Sequence, residues 1–253
     1  MSFYEKLNPL TTVAKQRFVE TFSASTLNGV AWVTSTSYSI GDTVSESGKG
    51  YVCLTAHTSG TFATDLSAGK WRESGRWSFN QVRGTNSYAM SDSADGGLVL
   101  TTGSSSWDGG SITFGDKRQY SPTGSVIIQV TKLTDPTTCG IEAGFSDHQD
   151  GANIASAADG ASMENSFQNS YIRLGTAQTG SYTWATSTIA RTSDWITSKV
   201  ELKTASCELS INGVYATTVT ETLPTGKSQP IFIPFTNSGV KTASIRYCEA
   251  YNT

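Results

Sequence analysis

Along most of the chain, apolar and polar residues alternate over short runs that end at Gly, Asn, Asp or Ser. A period of two puts every second side chain on one face, which is the pattern of a half-buried strand. It opens in the run 18–28, where Phe18, Glu20 and Phe22 alternate. It predicts further strands within 75–84, 96–103, 110–115, 124–133 and 137–147. Others fall within 169–176, 181–188, 194–204, 207–213, 214–220, 229–238 and 241–253. Asn212-Gly213 between two such runs predicts a two-residue hairpin turn. No segment carries a convincing amphipathic helical period. Many short strands at regular spacing predict an all-β sandwich.

Composition supports that picture. Of 253 residues, 37% are hydrophobic, 10% aromatic and only 15% charged. The aromatic fraction can supply a core, so the Thr, Ser and Gly content reads as strands and turns, not disorder. The net charge is −3 and Lys and Arg do not cluster beyond pairs such as Lys117-Arg118. Nucleic acid is not expected as a partner, since binding it takes a basic stripe. No apolar run approaches the roughly 20 residues of a membrane span, and membrane insertion is not expected. The opening "MSFYEKLNPL" lacks the charged start and apolar stretch of a signal peptide. Residues 1–17 form a short lead interrupted by Pro9, expected to be an attachment peptide. Cys53, Cys139, Cys207 and Cys248 lie far apart without metal-ligand spacing, and are expected to be small buried thiols. A Cys207–Cys248 disulfide would require their strands to be neighbours.

The run "DWITSKVELKTASCELSINGVYATTV", with "FVETFSASTLN" and "GGLVLTTG", resembles concanavalin A-like jelly rolls, the superfamily of laminin-G-type and legume-lectin-type domains. In that pattern a Phe-x-x-x-Phe strand leads through a short loop into a Trp-containing strand. Here the halves are "ETFSASTLN" and "GRWSFNQVRG", held apart by an intervening segment. Loop tips accept whole inserted domains with little loss. The expected organisation is therefore a sandwich of 18–28 and 76–253, with a β-rich module of 29–75 inserted after the first strand.

The insert carries Trp32, Tyr38, "GDTV" at 41–44, Tyr51, "AHTSG" at 56–60 and Trp71. In that order these residues resemble a chitin-binding-type carbohydrate-binding module of bacterial chitinases and phage proteins. Two roles for its rings stay open. A module this small must bury aromatics to have a core at all. Alternatively, a flat ring left exposed packs on the apolar face of a sugar. The resemblance marks Trp32, Tyr38 and Trp71 as the candidate carbohydrate platform. His57 and Asp42 read first as turn residues.

Catalytic chemistry is hard to find along the chain. A jelly-roll glycosidase needs paired carboxylates, and no strand shows alternating acids. Glu201 and Glu208 stand alone, and neither histidine neighbours a nucleophile motif. The chain is expected not to be an enzyme. In the long loop 144–160, Asp147, Asp150, Asn153 and Asp159 could offer oxygens to Ca²⁺, or simply be solvated.

Glycan-type modules without a signal peptide resemble those of bacteriophage virion surface proteins. That implies a non-enzymatic capsid decoration, head fibre or tail adhesin, made in the host cytoplasm and displayed on the virion. Its partners would be coat or tail proteins and a glycan, with homo-oligomerisation open. The alternatives are a purely structural capsid cement protein and, third, a polysaccharide-degrading enzyme.

Overall fold

The computed structural model describes residues 17–20, 30–40, 42–46, 49–73, 77–83, 86–91, 97–114, 118–147 and 157–253. The lead of residues 1–16 lies outside them. Strand β1 (Arg17–Glu20) comes first. Then come β2 (Val30–Ala31), β3 (Ser37–Tyr38), β4 (Thr43–Glu46), β5 (Lys49–Cys53) and β6 (His57–Thr58). Helix α1 (Phe62–Ser67) and β7 (Trp71–Glu73) follow. The next strands are β8 (Ser78–Arg83), β9 (Ser87–Ser91), β10 (Gly97–Thr101), β11 (Gly109–Thr113) and β12 (Ser125–Leu133). After them come β13 (Cys139–Ser146), β14 (Asp159–Ser166), β15 (Tyr171–Gln178) and β16 (Ser181–Ala190). The last are β17 (Ile196–Leu202), β18 (Cys207–Ile211), β19 (Val214–Val219), β20 (Gln229–Thr236) and β21 (Thr242–Asn252).

Two sheets make the expected sandwich. One has the order β19-β18-β17-β12-β21-β10-β9, with β1 also on β21. The other has the order β16-β15-β14-β13-β20-β11-β8. Alternation along β17 and β18 sends Ile196, Val200, Leu202, Leu209 and Ile211 into the core between the sheets. From the second sheet come Ile141, Ala143, Phe145, Ala161, Met163, Ile172, Leu174 and Phe232. Phe18 and Trp77, on either side of residues 30–73, meet in this same core around Phe114. Their centroids lie 4.5 Å from it, in edge-on geometry. Asn212 and Gly213 have φ of 52° and 80°, which form the expected tight turn between β18 and β19.

All four cysteines are buried free thiols. Strands β17 and β12 separate β18 from β21, so Cys207 and Cys248 are not neighbours. Burial pushes the Cys139 thiol up to about 12 and also raises that of Cys207.

Residues 30–73 form a lobe with two small sheets, β2-β4-β5-β7 and β3-β6, and the helix. No helix was expected; six residues are too few to display an amphipathic period. Among the described residues, no helix is long and apolar enough to cross a membrane.

Candidate functional site

The lobe's core is Tyr38, Val44, Tyr51, Cys53 and Trp71, with Trp32 and Phe62 packed against it. Edge-on contacts link the rings: Tyr38 to Trp71 at 5.0 Å, Tyr51 to Phe62 at 4.7 Å and Trp32 to Phe62 at 5.7 Å. Trp71 is 2% exposed and Tyr38 8%. The Tyr38 hydroxyl is used internally, accepting from the Val33 N–H at 2.9 Å. Of the candidate platform residues, only Trp32 is half-buried, beside the exposed Val33.

A polar knot lies under these rings. Asp65, buried on α1, accepts the Gly60 N–H at 2.9 Å and the Lys70 Nζ at 2.8 Å. The Lys70 hydrogen bond, followed by the Gly60 amide, holds the Asp65 carboxyl below the usual carboxylate range. His57 packs edge-on to Trp71 at 5.3 Å. Its Nδ1 lies 2.7 Å from the Thr55 carbonyl oxygen and its Nε2 3.5 Å from Asp65 Oδ2. Asp42 is a turn residue, as read from the sequence: its Oδ2 accepts the Ser39 N–H at 2.7 Å.

The second sheet carries acids that no linear reading finds. Strands β13 and β14 send alternate residues away from the core, Glu142 from one and Glu164 from the other. Register sets these two directly opposite each other. Continuing the row across the sheet, Arg173 and Thr186 stand on one side and Ile233 on the other. Arg173 Nη2 donates to Glu164 Oε2 at 2.6 Å, and the Ser166 hydroxyl donates to Oε1. Both glutamates are 1% exposed.

Rings cover two glycines of this face. Trp184 lies over Gly175, where an added Cβ would fall 2.5 Å from the indole. The Arg173 guanidinium sits 4.3 Å from the Trp184 ring centre, a cation–π contact. Phe235 covers Gly140 in the same way, at 2.4 Å. Two polar atoms, Ser162 Oγ and Arg173 Nε, are buried without a hydrogen-bond partner among the described residues.

Asp147 and Asp159 are tied to each other. Asp147 N–H donates to the Asp159 carbonyl at 2.9 Å, and Asp159 N–H donates to Asp147 Oδ1 at 3.1 Å. Asp159 Oδ1 also accepts from the N–H and hydroxyl of Thr225. Asp150 and Asn153 lie outside the described residues. Among the described residues, no group of three or more His, Cys, Asp or Glu is placed to hold a metal ion.

The fold is an all-β, two-sheet jelly roll with an aromatic-cored lobe. Residues 31–72 match the family model "Carbohydrate-binding module family 5/12". The sandwich is similar to a Shewanella oneidensis MR-1 protein of unknown function, with 15% identity and a TM-score of 0.52 over 70% of this chain and 78% of that one. It is also similar to a family 16 glycoside hydrolase endo-glucanase from Bacteroides ovatus, with 12% identity and a TM-score of 0.50 over 68% and 93%. A prokaryotic β-1,3-1,4-glucanase from a mouse hindgut metagenome gives 12% identity and a TM-score of 0.50 over 70% and 92%. No curated protein sequence matches the chain.

These findings correct two expectations. The non-enzymatic phage virion surface protein is overturned, because the likenesses are to a carbohydrate-binding family and to glucanase folds. The capsid cement alternative is no better supported. The exclusion of catalysis also falls. It rested on the lack of alternating acids in one strand, whereas the fold is one that glucanases use and two acids meet here from different strands.

Proposed function

We propose that this is a carbohydrate-active protein in which the lobe holds a β-linked polysaccharide of the chitin type. The observation that carries the reading is the family match of residues 31–72, which spans nearly the whole lobe. Trp32 is the ring best situated for sugar contact, since Tyr38 and Trp71 are committed to the core. The test is retention on insoluble chitin and β-glucan. Wild-type protein should be retained, and Trp32→Ala should weaken retention at least about fivefold, roughly one aromatic contact's worth, with the lobe still folded. Failure of the wild-type protein to be retained on any β-linked polysaccharide would overturn the reading.

A second reading, glycoside hydrolysis by the sandwich, is favoured by the register of Glu142 against Glu164. Directly opposed strand residues hold their Cβ atoms about 4.5–5.5 Å apart. Side chains rooted that close can bring two carboxyl groups to one bond, as the acid pair of a retaining glycosidase must be. Glu164, ion-paired to Arg173, fits the nucleophile, and Glu142 the proton donor. Both are buried, so substrate must open this face to reach them. Reducing ends released from β-glucan or chitin by wild type, and lost in folded Glu142→Gln and Glu164→Gln variants, would support it. No release above buffer would sink it.

A further inference from the structure

We propose that Trp107 is a stacking platform for a sugar ring at the end of the acid-bearing face, so that the sandwich engages the glycan independently of the lobe. This rests on the carbohydrate-active reading above. The first observation is backbone geometry. Trp107 has φ of 68°, a left-handed conformation that is strained for a bulky side chain and persists only where its surroundings impose it.

The surroundings do impose it. Trp107 N–H donates to the Thr236 carbonyl at 2.6 Å, and Thr236 N–H donates to the Asp108 carbonyl at 3.1 Å. Asp108 Oδ2 accepts the Ser105 N–H at 3.0 Å, and Gly239 N–H donates to the Ser104 carbonyl at 2.9 Å. The turn is thus clamped to the end of β20.

The second observation is what the clamp achieves. The Trp107 ring stacks on Phe235 at 5.7 Å and 18°, and leans on Phe167 at 5.7 Å and 58°. Phe235 and Phe167 both pack against the indole, yet 37% of Trp107 stays exposed. Strain spent on core packing would bury the residue; here it stays exposed.

The third observation is position. Phe235 lies over Gly140, which is two residues from Glu142 on the same face of β13. One such step along a strand is about 6.6 Å. A chain lying across the face therefore meets the indole first, and the polar row where the face opens. In and beside that row, Arg173 Nε and Ser162 Oγ are buried without a partner among the described residues, and a ligand admitted to them would both donate and accept hydrogen bonds. Flat apolar area beside such groups matches the two kinds of surface a sugar presents. A peptide is the competing occupant.

The experiment uses the full chain with Trp32→Ala, which weakens the lobe's contribution, titrated with soluble cello- and chito-oligosaccharides by calorimetry. The Trp32→Ala protein should still bind, and adding Trp107→Gly should weaken binding at least about tenfold. Glycine accepts the left-handed conformation, so this variant should keep its melting temperature, and Trp107→Ala should melt lower. If the Trp107→Gly protein binds as its parent does, or if Trp32→Ala alone abolishes all binding, the inference is overturned while the carbohydrate-active reading stands. If the wild-type protein is retained on no polysaccharide, that reading fails too. Binding of unrelated extended peptides as tight as that of sugars would assign the face to protein and overturn the inference.

Discussion

The lobe and the sandwich bury themselves in opposite ways. The lobe's core is mainly rings, Tyr38, Tyr51 and Trp71 with Trp32 and Phe62 against them, because its strands run from two to five residues and cannot stack rows of aliphatics. The sandwich packs aliphatic rows from strands as long as nine to eleven residues. In a body as small as the lobe, each large ring is structure first, and the proposed sugar contact falls to what remains at the rim. The sandwich has core to spare. Its second sheet can therefore carry glutamates, an arginine and unpartnered polar atoms on the face turned away from the core.

The largest test of that contrast is Trp71→Ala. Truncating a buried Trp costs about 3–5 kcal/mol, more than so small a core can absorb. Calorimetry should show the lobe's transition lost and the sandwich's unmoved. A single transition shifting as a whole would mean that the two bodies are not energetically distinct. Next is the sandwich's buried charge. Glu164→Ala leaves Arg173 without its carboxylate and should cost about 3 kcal/mol in urea unfolding. Glu164→Met with Arg173→Met should recover most of that loss. If the double variant is no more stable than the single, packing and not charge governs the face.

Asn212→Ala should cost less, about 1 kcal/mol, because alanine tolerates the left-handed turn between β18 and β19 poorly. The acid response comes last. The folded Asp65 carboxyl lies below its unfolded value of about 3.9. Its contribution is therefore present above that value and lost as pH falls through it towards the folded value. The lobe should melt earlier as pH drops below about 4. Asp65→Asn should lower the lobe's stability at neutral pH and flatten that acid dependence. An unchanged acid slope would move the acid sensitivity to other carboxylates, such as Asp135, which the Thr137 and Thr138 hydroxyls hold low in the sandwich.

Local pattern was enough for much of this. Alternation located most strands of the sandwich, Asn212-Gly213 marked its turn, and the order Trp32, Tyr38, Tyr51, Trp71 marked the lobe, because period and turn chemistry act between near neighbours in the chain. Strand β14 escaped notice: "DGASMENS" is small and polar, and only Ala161 and Met163 reach the core. With it went Glu164, and with Glu164 the acid pair, since Glu142 alone is one charge in an apolar run. Which acids face each other is set by the pairing of β13 with β14, and pairing is decided by the burial of both sheets together. The same holds for the rings. The sequence marks three aromatics as equivalent candidates, but only packing around Asp65 and α1 commits Tyr38 and Trp71 to the interior and leaves Trp32 at the edge. Trp107 carries no local signal at all: its left-handed backbone and half-exposed indole exist because Thr236 and Phe235, distant in the chain, hold them there.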